Sequence, residues 1–148
     1  MMAEVLTKPV SAKGSRFGFE TQGSLDIVDV TAKVQEAVRA SGIREGIACV
    51  ATAGSTAAVC TMEHEPGLVQ DLRAALDRLL PREMRYAHAD TGGDDNGDGH
   101  LRSTLLGTSL SLPVNGGRAA LGTWQQVLFV ELDHRPRERE ITVQVVGD

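Results

Sequence analysis

The sequence predicts an α+β domain built on a mostly antiparallel sheet with two main helices. Segments with strand character stand at both ends of the chain, and two amphipathic helical segments lie between them. The chain has 148 residues, of which 41% are apolar and 24% are charged. That length suffices for one domain with its own core, and neither an internal repeat nor a long linker divides it.

The first predicted element is a β-hairpin. Strand-forming residues fill Val5–Lys13 and Phe17–Gln22, and Gly14 and Ser15 between them favour a turn. A helix follows, which either Asp26 or Asp29 can cap and which Gly42 ends. Its apolar stripe consists of Val30, Val34, Ala37 and Val38.

Two short strands and a second helix occupy the middle of the chain. The strands are Ile47–Ala51 and Ala57–Met62, joined across Ala53-Gly54-Ser55. Pro66 suits the first turn of the helix, and Pro81 ends it. The apolar stripe of this helix is Leu68, Val69, Leu72, Leu76, Leu79 and Leu80.

The last third of the chain predicts a short helix and four strands. The helix covers His100–Leu106 and ends at Gly107, and Asn115-Gly116-Gly117 has the chemistry of a hairpin turn. The strands are Ser109–Val114, Arg118–Leu121, Trp124–Leu132 and Ile141–Val146.

Composition limits the classes of function. A net charge of -5 argues against a nucleic-acid partner. The only cluster of arginines, at 135, 137 and 139, alternates with Glu138 and Glu140 and is interpreted as a solvated charged turn.

No segment has the length of a membrane span or the apolar core of a signal peptide, so we expect a cytoplasmic protein. Cys49 and Cys60 lie in apolar runs and are expected to be buried, reduced thiols, with a disulfide between neighbouring strands as the alternative.

The segment Tyr86–Arg102, YAHADTGGDDNGDGHLR, is the strongest candidate for a functional site. It contains two of the four histidines and four aspartates, with almost no apolar residue to bury. Two histidines and a carboxylate suit zinc or a similar divalent ion, and His88, Asp98 and His100 supply that set. Glycines and aspartates also favour turns, so composition leaves both a surface loop and a site open.

Four further places carry candidate residues. Glu63 ends a strand, where it either points into a cleft or caps the turn before Pro66. Gln125 and Glu131 share one face of a strand, so a buried Glu131 must form an ion pair or belong to a site. Trp124 is interpreted from composition as a core residue. Ser55 and Thr56 form a small polar turn that can hold an oxyanion or phosphate.

Three stretches of the chain resemble one known family. STAAVCTMEHEPGLVQDL at 55–72, YAHADTGGDDNGDGHLRSTLLGTSLSLPV at 86–114 and GRAALGTWQQVLFVELDHRPRERE at 117–140 are similar to the YjbQ-type family, whose members are often described as secondary thiamine-phosphate synthases. The resemblance implies an α+β fold assembled as a compact homotrimer. Its family-like polar site comprises Ser55, Thr56, Glu63, His88, Asp94, Asn96, His100, Trp124, Gln125 and Glu131.

The chain departs from the family at two positions. Close relatives often carry a histidine where Asp98 stands, and many bacterial members carry one where Gly54 stands. An aspartate ligand makes a metal site more oxygen-rich, which favours magnesium, manganese or zinc. Alternatively, Asp98 is a loop residue and binding is weaker.

The resemblance implies an enzyme that joins a pyrimidine methyl diphosphate to a thiazole phosphate and releases pyrophosphate. A divalent ion on His88, Asp98 and His100 would neutralise the leaving group, and Arg102 would bind a phosphate. Trp124 would stack on a heteroaromatic ring, and Gln125 and Asn96 would contact substrate. The catalytic residues would be Glu63, His88, Asp94 and Glu131. The alternatives are another metal-dependent enzyme, such as a hydrolase, and a non-catalytic trimeric protein that binds a metal or ligand.

Overall fold

The computed structural model describes residues 9–148, which form eight strands and four helices. None of these helices is long and apolar enough to cross a membrane. The elements in chain order are β1 (Ser11–Glu20), β2 (Ile27–Asp29), α1 (Thr31–Ala40), β3 (Gly46–Thr52), β4 (Ala57–Met62), α2 (Pro66–Leu79), α3 (His88–Thr91), α4 (Gly97–Leu106), β5 (Ser109–Asn115), β6 (Arg118–Ala119), β7 (Gln126–Glu131) and β8 (Glu138–Gly147).

The strands form two sheets in which every paired neighbour is antiparallel. The larger sheet has the order β1-β8-β3-β5-β6, and the smaller has the order β2-β7-β4. The prediction of an α+β fold with mostly antiparallel pairing is therefore confirmed. The ten-residue β8 pairs with β1 along its whole length and with β3 on its other side.

The smaller sheet is buried on both faces. One face packs with the inner face of the larger sheet and with Val34 and Val38 of α1, forming the main core around Phe129. The other face packs Val130 and Leu132 against Leu76 of α2. Burial on both faces explains why β7 is a continuous apolar run instead of an alternating one.

The predicted N-terminal hairpin is wrong. Gly14 and Ser15 continue one straight strand, β1, whose pairing with β8 runs from Ser11 to Glu20. The side chain of Gln144 on β8 fills the space above Gly14, so this glycine allows a cross-strand contact and makes no turn. The part of the prediction at residues 5–8 lies outside the described residues.

The two main helices are confirmed, with corrections at their ends. Val30 is the residue before α1, and Asp29 accepts hydrogen bonds from the amide and hydroxyl of Thr31 at 2.9 and 2.6 Å. Helix α2 begins at Pro66, but Glu65 and not Glu63 caps it, by accepting hydrogen bonds from two backbone amides. Leu79, which was assigned to the apolar stripe, is 68% exposed because α2 ends there.

Two further predictions about burial are wrong. Trp124 precedes β7 in a turn closed by a hydrogen bond between Gln125 and Gly122, and its side chain is 71% exposed. Cys49 is exposed on β3, whereas Cys60 on β4 is half-buried; both thiols are free. Burial raises the pKa of the Cys60 thiol above its ordinary value.

Helix α4 packs unusually close to the end of β7. A methyl group on Gly99 would lie 2.3 Å from the carbonyl oxygen of Leu132. Only glycine permits this approach, which brings the first turn of α4 against the residues that follow β7.

We expect Gly99→Ala to lower the free energy of unfolding by about 1–3 kcal/mol, because the helix must move away from the strand. Urea unfolding followed by circular dichroism measures the change. Leu105→Ala on the same helix, where the side chain is 65% exposed, is the matched control and should change stability by less than about 0.5 kcal/mol. Equal effects of the two substitutions would contradict this role for Gly99.

Candidate functional site

The predicted polar segment contains two helices, one of which includes the short helix predicted at His100–Leu106. Helix α3 covers His88–Thr91, and α4 begins at Gly97, three residues before the predicted start. Asp98 and Arg102 are one helical turn apart on the buried face of α4, and both are almost completely inaccessible. The segment therefore contributes charged groups to the interior of the protein.

Asp98 is paired with His134, a histidine that the sequence did not single out. The Nε2 atom of His134 lies 2.8 Å and 3.1 Å from the two carboxylate oxygens of Asp98. Because a carboxylate only accepts, Nε2 carries a hydrogen and donates it to Asp98. The other ring nitrogen, Nδ1, is buried without a hydrogen-bond partner and lies 3.8 Å from Oδ1 of Asp95.

Arg102 has a structural role and cannot serve as the predicted phosphate ligand. Its guanidinium is buried and donates to Asp77 at 3.0 Å and to the carbonyl of Leu80 at 2.8 Å. Its Nε also lies 3.9 Å from Asp98. These contacts connect α4 to the end of α2 and leave the guanidinium no exposed face for a substrate.

Glu131 forms the buried ion pair that was one of its two predicted roles. Its carboxylate is fully buried at the end of β7, where Arg139 of β8 donates to both oxygens. Thr21 and the backbone amide of Asp133 complete its hydrogen bonds. Arg139 also donates to the hydroxyl and carbonyl of Thr56 at 3.1 Å, so the pair holds the turn before β4.

Asp133 continues this network toward the surface. It accepts from Arg137 and from the amide of His134, and the hydroxyl of Thr56 lies 3.4 Å away. Burial alone would raise the pKa of the Asp133 carboxyl, but the Arg137 guanidinium and the His134 amide outweigh burial and lower that pKa. The interpretation of arginines 135, 137 and 139 as a solvated turn is thus wrong for Arg139, which is largely buried, whereas Arg137 pairs with Asp133 and stays 41% exposed.

A small cavity brings two predicted site residues, Ser55 and His100, together. It has a volume of about 290 Å³, and the Gly54-Ser55 turn faces His100 across it. The ring of His88 lies edge-on to the ring of His100, with 4.7 Å between their centroids. The lining residues are Gly54, Ser55, His100, Ser103, Thr104, Gly107 and Thr108.

The predicted metal ligands are not assembled around one position. Among residues 9–148 no three His, Cys, Asp or Glu side chains converge as a metal site. His88 and His100 lie close together, but the carboxylate of Asp98 is buried and bound to His134. The residues present therefore do not fit a metal held by His88, Asp98 and His100 within one chain.

Other predicted residues lie outside the cavity. Glu63 is exposed after β4, and Asp94 is exposed before α4. Exposed Gln125 accepts from the amide of Gly122 and donates to Thr61. Asn96 is buried beside α4, and its side-chain oxygen has no hydrogen-bond partner.

The chain matches a family model described as UPF0047 protein YjbQ-like over residues 15–148. It is 38% identical to a UPF0047 protein of Methanothermobacter thermautotrophicus, covering 97% of this chain and 94% of that protein. A YbjQ-like protein of unknown function from Sulfolobus solfataricus superposes with a TM-score of 0.90 at 34% identity, covering 95% and 100% of the two chains. A hypothetical protein from Aeropyrum pernix gives a TM-score of 0.85 at 36% identity, covering 92% and 99%.

Removing Arg139 should strongly destabilise the protein. Arg139→Leu leaves the Glu131 carboxylate buried and without its cation, for which we expect a loss of about 3–5 kcal/mol in urea unfolding. The double variant Glu131→Gln/Arg139→Leu should lose less, because no buried charge remains. Arg135→Leu, at an exposed position of the same segment, is the control. A loss in Arg139→Leu no larger than in this control would contradict the buried ion pair.

Proposed function

We infer that this chain, which belongs to the UPF0047 family of YjbQ-like proteins, is an enzyme acting on a small phosphorylated molecule. The observation that carries the proposal is the cavity between the Gly54-Ser55 turn and α4. Its walls are small polar residues and one histidine. Such walls suit a compact oxyanion better than an apolar ligand.

The groups around the cavity match the needs of a phosphate. The hydroxyl of Ser55 can donate to a phosphate oxygen, and a ring nitrogen of His100 can do the same. A protonated His100 or His88 would add positive charge beside the anion. Gly54 and Gly107 leave room for phosphate oxygens to approach the backbone.

The reaction that family resemblance suggests is of the thiamine-phosphate-synthase type. The thiazole nitrogen forms a bond to the methylene carbon of the pyrimidine, while the bond from that carbon to the diphosphate oxygen breaks and pyrophosphate leaves. The leaving group gains negative charge as it departs. His100 and His88 are the described side chains best placed to stabilise that charge.

A homotrimer would explain why the site of one chain is incomplete. A cavity of about 290 Å³ lies at the lower end of the volumes of small-molecule sites, and this reaction needs two substrates. Trp124 and Gln125 lie outside that cavity, and Trp124 is 71% exposed. In an assembly, these residues of one subunit would complete the cavity of another. The expected mass in solution is three times the 15.8 kDa of the chain.

The purified protein should form thiamine phosphate from a pyrimidine methyl diphosphate and a thiazole phosphate. We expect His100→Ala to lower kcat by about 100-fold or more, because it removes charge stabilisation at the leaving group. Ser55→Ala should mainly raise KM. Leu105→Ala, an exposed change on the same helix, should leave both constants unchanged.

Three outcomes of these experiments distinguish the proposed synthase from a hydrolase and from a non-catalytic binding protein. A folded wild-type protein that forms no thiamine phosphate contradicts the proposed reaction. Release of phosphate from simple phosphoesters, abolished by His100→Ala, would instead identify a hydrolase. Binding of inorganic phosphate without turnover of any substrate would identify a non-catalytic binding protein.

A further inference from the structure

The candidate substrate residues lie at two opposite ends of the protein. The antiparallel ladder of β4 and β7 runs from Ala57 at one end to Met62 at the other. Ser55 lies just before β4, at the first end, whereas Trp124 and Gln125 come immediately before β7, at the second. The ladder is about 17 Å long, since each residue of a strand rises about 3.4 Å. Trp124 and Gln125 therefore do not reach the cavity beside Ser55 of the same chain.

An acidic cavity lies beside the Ser55 turn. It has a volume of about 580 Å³, and Thr52, three residues before Ser55, belongs to its lining. The cation in that lining, Arg139, is already bound to Glu131. The lining includes three exposed glutamates, Glu20, Glu138 and Glu140. This end of the protein therefore presents a surplus of negative charge.

Two of these glutamates repel each other. Glu20 on β1 is directly opposite Glu138 on β8, and like charges in this position destabilise a sheet. Within residues 9–148 neither carboxylate has an ion pair, and the third glutamate, Glu140, has only a distant one, with Arg16 at 3.7 Å. A cation supplied from outside the chain would relieve the repulsion.

A basic cavity lies at the other end of the larger sheet. Strand β3 runs from Gly46, beside the basic cavity, to Thr52, beside the acidic one. The backbone of Arg44 is fixed there, because its amide donates to Asp148 and its carbonyl accepts from Gly117. The basic cavity has a volume of about 260 Å³, and its charged lining residues are three exposed arginines, Arg39, Arg44 and Arg118.

The acids next to the basic cavity do not neutralise it. Glu45 and Asp148 do not belong to its lining, and Glu45 accepts a hydrogen bond from the amide of Gly116. Within residues 9–148 none of the three arginines has a carboxylate partner. Three guanidinium groups at one end of the sheet thus match three glutamates at the other.

Arg118 connects the basic cavity to the candidate substrate residues. It also lines a neighbouring cavity of about 430 Å³, together with Thr123 and Gln125, which flank Trp124. An Arg118 that pairs with the acidic cavity of another copy therefore carries Trp124 and Gln125 toward that copy's Ser55 turn.

We propose that the basic cavity of one copy of this chain binds the acidic cavity of the next copy. Trp124 and Gln125 then complete the neighbour's cavity between Ser55 and His100. The contact joins two different surfaces, so the copies associate head to tail and the assembly closes as a ring. The part that Trp124 and Gln125 take in substrate binding rests on the proposed function, whereas the contact itself does not.

Charge reversal tests the contact through the mass of the assembly in analytical ultracentrifugation. Glu20→Arg/Glu138→Arg makes both cavities basic, and Arg44→Glu/Arg118→Glu makes both acidic. Each double variant should weaken association about 100-fold or more, because like charges then face each other. The fourfold variant has its charges exchanged between the two ends, and it should assemble within about 10-fold of the wild-type affinity.

The matched control is Arg78→Glu/Arg82→Glu. Both positions are exposed and lie outside the two cavities, and the change in net charge equals that of Arg44→Glu/Arg118→Glu. This variant should assemble like the wild type. Circular dichroism of every variant confirms that it is folded.

Cross-linking tests whether the neighbour reaches the cavity. We use a chain in which both free cysteines, Cys49 and Cys60, are replaced by serine. A short bismaleimide should join copies of Ser55→Cys/Gln125→Cys into covalent oligomers. Neither Ser55→Cys nor Gln125→Cys alone should be joined.

Several results would overturn the contact: a wild type that stays monomeric, a charge-reversed variant that assembles normally, a folded fourfold variant that stays monomeric, or absence of cross-links. Thiamine-phosphate formation at full rate by monomers would overturn the shared site and leave the proposed reaction standing. Assembly that follows the charges, in a protein that forms no thiamine phosphate, would support the contact and contradict the reaction.

Discussion

Three buried carboxylates, Asp98, Glu131 and Asp133, place the strongest constraint on this structure. A buried charge is very unfavourable unless a partner is held against it. Arg139 and Arg137 are the cations beside Glu131 and Asp133, and Asp98 is held by a hydrogen bond to His134 and lies 3.9 Å from Nε of Arg102. Because His134, Arg137 and Arg139 all lie between the end of β7 and the first residues of β8, the network fixes that segment against α4 and against the turn before β4. The walls of the candidate site are therefore positioned by charge pairing as well as by apolar packing.

Regular periodicity made part of the fold predictable. Helix α2 begins at Pro66 as predicted. The preference of proline for the first turn of a helix is local, and the apolar stripe contains the residues that the fold buries. The predicted hairpin failed because Gly14 favours a turn only in isolation, whereas pairing with the long β8 keeps the chain extended. Trp124 was misplaced for a related reason: the apolar run of β7 suggested a longer strand than the Gly122–Gln125 turn allows.

The site was predictable only in part. Composition identified the segment around α4 correctly, because a sequence so poor in apolar residues is not needed for the core. The role of Asp98 was not predictable, since its partner His134 lies 36 residues away in a different element. The alternation of acidic residues and arginines after β7 indicated ion pairs, but it was interpreted as a solvated charged turn. Glu131 shares a strand face with buried residues, so a nearby arginine had to point inward.

The central claim is that the buried carboxylate of Asp98 holds His134 through a hydrogen bond to Nε2. Nitrogen-15 NMR of the protein labelled at histidine measures this most directly, with His134→Gln used to assign the signal. The account predicts that neutral His134 has its proton on Nε2 and that Asp98→Asn weakens this preference. A proton on Nδ1 in the neutral ring, unchanged in Asp98→Asn, would contradict it.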